Sequence, residues 1–306
     1  MKRIACLSLL VVMLSFPGLL VAQTTDSGGL RYTISVSQFQ NRSGWRGQWN
    51  LGHAWSTVLT DILQQTGHFI VLGETDMRDE ALAEQEFVAS GRTAQGAKAP
   101  VMGQMTPAQL LVKGTITHVE EVTKGGRGGV RISGFRVRGN ASQAEINATI
   151  YVVDSTTGQI VASTDLIGKS NRKGASVGYS TWSWGADLGG FKNDNVGKAT
   201  EAAISDAVDW MIAEIPSLPW SGSVALVKDG KVYINRGNRE GVHSGQTFLV
   251  GVPDVIRDPE TGEVLNESLT RIASLEVESV QEKLSICAVT EGDLTAVERG
   301  MRVQLP

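Results

Sequence analysis

Apolar positions recur along this chain with two different periods, and the change of period divides it. Tyr32, Ile34 and Val36 alternate with polar residues, the spacing of a strand. After a loop rich in Gly, Arg and Asn, Leu51, Ala54, Trp55, Val58, Leu59, Ile62 and Leu63 form one stripe of an amphipathic helix stopped by Gly67. His68 to Leu72 predicts a short strand, so the chain opens as β-α-β. An acidic second helix is predicted over Met77 to Ser90. A one-turn helix is predicted at Thr106-Pro107, where an N-cap residue precedes a proline at the first helical position. Leu111 to Glu120 predicts the next strand. Ala144, Ile146, Ala148, Ile150 and Val152 then alternate with Gln143, Glu145, Asn147 and Thr149, a strand with one apolar face. A turn at Asp154-Ser155-Thr156-Thr157-Gly158 leads into a strand over Gln159 to Gly168. A long helix follows, with Val196, Ala199, Ala203, Ile204, Ala207, Val208, Met211, Ile212 and Ile215 on its apolar face, ended by Pro216 and Pro219.

Beyond residue 220 the helical period disappears. Short strands are predicted at Ser223–Lys228, Lys231–Asn235, Thr247–Val252, Ile272–Val280 and Leu284–Val289. They are joined at Asp229-Gly230, Asn238 to Gly241, and Thr261-Gly262. Even spacing with glycine turns predicts a small all-β barrel. All seven tryptophans precede residue 221, which also separates the two parts. The expected organisation is a leader over 1–22, a linker over 23–29, an α/β domain over 30–216, a linker over 217–220 and a β domain over 221–306.

Composition sharpens this in three places. Glycine is 35 of 306 residues, above the ordinary ~7%, and without a triplet period it signals turns and bulges. Net charge is −4, which argues against nucleic acid as the partner. Lys2 and Arg3, the apolar run Ile4 to Phe16, the break at Pro17-Gly18, and Ala22 before Gln23 together predict a secretory leader cleaved after Ala22. Cleavage would leave 26 basic and 32 acidic residues, net −6. Cys6 lies before the apolar stretch and is not placed for lipidation, so the expected product is exported and unlipidated. The remaining Cys287 sits in a strand-like run and is expected to be a buried small hydrophobe.

Two stretches contain no acid and much glycine. Residues 122–144 hold Lys124, Arg127, Arg131, Arg136 and Arg138, and residues 166–186 include Lys169, Arg172, Lys173, Trp182 and Trp184 alongside a single Asp-free glycine-rich tract. Phosphate-loop, Gly-x-Ser-x-Gly and His-Glu-x-x-His motifs do not occur. His53, His68, His118 and His243 are far apart in sequence. The acidic turn from Asp258 to Glu263 lacks calcium-loop spacing and is expected to be a solvated hairpin tip. No enzyme, metal or cofactor is expected.

Several segments between 30 and 216 carry a resemblance. They are the first strand with Phe39-Gln40-Asn41, the helix Trp49–Thr66, Gly67-His68-Phe69, Val71-Leu72-Gly73-Glu74, Ala83-Glu84-Gln85 before Ser90-Gly91, and Leu110-Leu111-Val112-Lys113-Gly114-Thr115-Ile116. The run Val152-Val153-Asp154-Ser155-Thr156-Thr157-Gly158-Gln159-Ile160-Val161 completes the set. In order and spacing this region resembles the CsgG family, the curli production assembly/transport component. Residues 221–306 resemble the C-terminal domain of the flagellar assembly protein FlgT through Val232-Tyr233-Ile234-Asn235-Arg236-Gly237, Gly241 and Gly245. The resemblance implies an α/β domain, a mixed sheet with flanking helices, followed by the small barrel. It implies a non-enzymatic protein of the periplasm and outer membrane that assists assembly or export of curli-like surface components, with protein partners and a homo-oligomeric state. The alternative it implies is a subunit of an oligomeric outer-membrane β-barrel channel. In the curli channel two hairpins per subunit enter the membrane, and they would fall on the two acid-free stretches. The implied interaction or membrane residues are Arg127, Arg131, Ile132, Phe135, Arg136, Arg138, Ile146, Lys169, Arg172, Lys173, Trp182 and Trp184.

Overall fold

The computed structural model describes residues 29–94, 96–124, 131–132, 135–136, 141–171, 191, 194–262 and 264–306. The expected leader lies outside them. The chain enters through β1 (Thr33–Val36) and β2 (Gln40–Asn41), then α1 (Leu51–Thr66), β3 (Ile70–Val71) and α2 (Thr75–Ala89). Next come β4 (Leu110–Lys124), the short β5 (Arg131–Ile132) and β6 (Phe135–Arg136), β7 (Ala141–Asp154), β8 (Ile160–Lys169) and α3 (Asn195–Glu214). The remaining strands are β9 (Ser221–Lys228), β10 (Lys231–Ile234), β11 (Thr247–Arg257), β12 (Val264–Val280), β13 (Ser285–Gly292) and β14 (Arg302–Gln304).

The first sheet is mixed, in the order β3-β1-β4-β7-β8, with β2 also pairing β4. Strand β1 runs parallel to β3 and β4, whereas β4–β7 and β7–β8 are antiparallel. Helices α1 and α3 lie on one face. The helix stripe predicted at Leu51 to Leu63 is buried there, with Asn50 capping the start through a 2.9 Å bond from the His53 amide and Gly67 in the left-handed region at the end. Along β7 the predicted alternation holds residue by residue. Ala144, Ile146, Ala148, Ile150 and Val152 are buried, and the intervening residues are half-exposed.

Two local expectations need correction. No helix forms at Thr106-Pro107. The Thr33 hydroxyl donates to the Pro107 carbonyl at 3.0 Å, and the Gln109 amide donates to the Thr33 carbonyl at 2.9 Å, which holds this segment along β1. Strand β1 is also buried on both sides rather than one. Thr33 and Ser35 are as inaccessible as Ile34 and Val36, and their hydroxyls are satisfied internally, Ser35 by donating to the Gly73 carbonyl at 2.9 Å.

Strands β9 to β14 close into an antiparallel barrel in the order β10-β13-β12-β11-β14-β9. Val224, Val232, Ile234, Phe248, Val250, Leu275, Val277 and Val303 point inward at strand periodicity. Cys287 lies opposite Val232, and burial pushes its thiol up to about 12. It is a core side chain, as expected, and no nucleophile. Trp220 belongs here as well: it stacks on Phe248 with ring centroids 5.3 Å apart. The tryptophan count therefore marks no boundary between the two parts. The segment just before β1 meets the linker through the Tyr32 hydroxyl, which donates to the Leu218 carbonyl, and meets the barrel through the Arg31 amide, which donates to the Glu240 carbonyl at 2.8 Å.

Candidate functional site

Strands β4 and β7 pair continuously from Leu110 opposite Asp154 to Lys124 opposite Ala141, with one irregularity between Ile116 and His118. Their far ends lead into the first acid-free stretch. There β5 and β6 form an antiparallel pair, Arg131 opposite Arg136 and Ile132 opposite Phe135. Arg127, Arg138, Arg172, Lys173, Trp182 and Trp184 lie outside the described residues. Of the implied residues, Ile146 is fully buried against the helix layer. Lys169 is exposed on the opposite face of the sheet, its Nζ 3.0 Å from Glu145 Oε2 across the β7–β8 pair. The structure thus puts these two on different faces.

A second feature was not foreseen. The chain leaves β1 by α1 to β3 on one side and returns by α2 to β4 on the other, so the C-terminal end of β1 is a point where strand order reverses. Such points open a crevice beyond the strand ends. A cleft of about 510 Å³ lies there. Its floor is exposed Lys113, buried Gly114 and half-buried Thr115 of β4, at the gap where β1 stops at Val36 and β2 begins only at Gln40, opposite Thr115. Gly114 has to lack a side chain, since a Cβ would fall 2.0 Å from the Phe39 ring, which stacks on Trp55 behind it. Tyr151 forms a half-buried wall, and the first two turns of α2 bring Thr75, Asp76 and Asp79 to the rim.

Glu74 closes the cleft from the α2 side. It is the N-cap residue of α2, yet its carboxylate makes no capping hydrogen bond. It is 4% exposed and has no side-chain hydrogen bond or ion pair among the described residues. The Ser37 and Thr75 hydroxyls pair with each other at 3.1 Å and leave Glu74 alone. The sequence signal was Val71-Leu72-Gly73-Glu74-Thr75, an acid at a strand-to-helix junction. By itself that reads as an ordinary exposed cap. Among the described residues no group of three or more His, Cys, Asp or Glu side chains is arranged to hold a metal ion. No helix among them is long and apolar enough to cross a membrane, which leaves spanning by strands open.

The chain is 28% identical over 205 residues to a predicted lipoprotein of Neisseria meningitidis serogroup B, covering 64% of this chain and 82% of that protein. Among solved structures it is similar to the hypothetical protein CT253 from Chlamydia trachomatis, with 11% identity, a TM-score of 0.36, and 60% and 98% of the two chains covered. It is also similar to the PelC dodecamer from Paraburkholderia phytofirmans, with 11% identity, a TM-score of 0.29, and 58% and 86% covered. Residues 19–246 match the sequence profile of the curli production assembly/transport component CsgG, a match that takes in the mixed sheet, its helices and the first two barrel strands. On that match over most of its length, the chain belongs to the CsgG family.

Proposed function

We propose that this protein is an exported, non-enzymatic envelope module that assembles side by side into a homo-oligomer and assists assembly or export of curli-like surface components. Family membership carries the reading. The burial of the apolar face of β7 supports a form that needs no detergent: Ala144, Ile146, Ala148, Ile150 and Val152 already have a protein partner in the helix layer. We take the boundary between the α/β part and the barrel to lie at residues 217–220, with Trp220 belonging to the barrel side.

A second reading, a subunit of an outer-membrane channel, is favoured by one observation. The β4–β7 ladder continues outward to Lys124 opposite Ala141, the direction in which a hairpin would have to extend to cross a membrane. An arginine facing lipid near the bilayer midplane costs ~2–4 kcal/mol, so a spanning hairpin would need its arginines turned to the lumen.

The test is purification of the exported protein with and without detergent, followed by mass measurement and bilayer conductance. A detergent-free oligomer without channels supports the first reading. Reproducible channels would replace it with the second. Substitutions in the conductance assay belong at Val130 and Ile132, because Asp at Ile146 or Ile150 would attack the core instead.

A further inference from the structure

We propose that the cleft at the C-terminal end of β1 is a binding site for a cationic side chain of a polypeptide, best suited to arginine, with Glu74 as its anchor. The inference goes beyond the assembly reading and does not depend on whether the oligomer forms a pore.

The first argument is the state of Glu74. A carboxylate removed from water needs a partner, and those that lack one are costly to keep ionised. Glu74 is 4% exposed as a residue and lines the cleft; its side chain makes no hydrogen bond or ion pair among the described residues, and neither carboxylate oxygen is fully enclosed. The N-terminus of α2 offers partial positive charge, yet the carboxylate makes no capping bond to it. An unpaired acceptor is thus directed at an open space.

The second argument is the chemistry around it. Asp76 and Asp79 add two carboxylates at the rim, against one ammonium from Lys113. That balance repels anions. A metal is a poor occupant, since no cluster of three ligating side chains exists among the described residues. A guanidinium is a good one: its planar fork can donate twice to Glu74 and still reach acceptors at the rim. Tyr151 and Thr115 give the wall apolar surface for an aliphatic stem. The volume of about 510 Å³ falls within the ~300–1,000 Å³ of ordinary ligand clefts and holds one long side chain with its flanking peptide units.

The experiment titrates the exported full-length chain with N-acetyl-arginine amide and follows backbone amide resonances. N-acetyl-norleucine amide, which has a similar stem without charge, is the control. Saturable shifts centred on residues 37–40, 74–79 and 113–115 are expected for the arginine compound alone. Glu74→Gln is expected to weaken binding at least tenfold while its unfolding midpoint stays level or rises, because it removes an unpaired buried charge without changing shape. Equal responses to the two compounds, or unaltered binding by Glu74→Gln, would overturn the proposal. Sedimentation of both forms across a concentration series identifies the source. Weakened self-association in Glu74→Gln assigns the cation to a second copy of this chain. Unchanged self-association with lost arginine binding assigns it to a different polypeptide.

Discussion

Two long antiparallel pairs dominate this molecule, β4–β7 in the mixed sheet and β11–β12 in the barrel, and they use the same two-residue alternation differently. In β7 the apolar row from Ala144 to Val152 is buried, and the opposite row stays half-exposed. In β11–β12 the inner pairs are barrel wall, but the strands continue past it. From Val252 opposite Thr270 to Arg257 opposite Val264 they have no third strand beside them among the described residues. Val252, Ile256 and Leu265 stand 46%, 54% and 59% exposed on this arm. The register slips between Val250 and Gly251, where the arm leaves the wall, as a bulge bends a ladder. An apolar residue in an alternating strand is therefore buried only if another layer is built over it.

The strongest way to break this comparison is to place a charge on each pair. Ile146→Asp or Ile150→Asp puts a carboxylate into the core and is expected to cost ~4 kcal/mol or more, or to prevent folding. Ile256→Asp on the arm is expected to stay within ~0.5 kcal/mol. Denaturant midpoints measure both, and equal losses would erase the distinction. Next in size, Trp220→Ala removes the ring stacked on Phe248 and is expected to cost ~3 kcal/mol. An unshifted thermal transition would show that Trp220 only covers the barrel and does not hold it.

A smaller effect tests the barrel interior by pH. The Cys287 thiol is held neutral up to about 12, chiefly by burial, against an ordinary value near 9. The folded chain keeps this proton where the unfolded chain has released it. The contribution to stability is accordingly full below pH ~9 and lost as pH rises towards 12. The stability difference between the natural chain and Cys287→Ala should shrink across that window in urea titrations at pH 7, 9 and 10.5. A constant difference would mean that the thiol meets water. The smallest expected effect is on the open sheet face. Lys169→Ala removes an exposed ion pair with Glu145 and should cost ~0.2–1 kcal/mol, less in high salt. A larger loss would show that this face is covered in the oligomer.

Much of the fold was legible because short-range rules act on short segments. The Asp229-Gly230 turn needs two residues at positive φ, and both take it, at 51° and 76°. The α1 stripe and its Gly67 stop needed nothing from elsewhere in the chain. The misses share another cause. Thr106-Pro107 has helix-starting chemistry, but Thr33 and Gln109, distant in sequence from each other, claim the segment as a neighbour of β1. Trp220 adjoins the end of the α/β part and still packs into the barrel. Glu74 drew no reading of its own, because nothing near it in sequence shows that a sheet floor and the start of α2 converge around it.

Composition and periodicity alone determined the two structural regimes, the order of their elements and the positions of their turns, since these depend on residues within a few places of one another. Which apolar face would be covered, which strand would lose both its faces, and where an acid would be left without a partner were decided only by tertiary structure. Alternation states that two faces differ, and only the path of the chain supplies the layer that buries one of them.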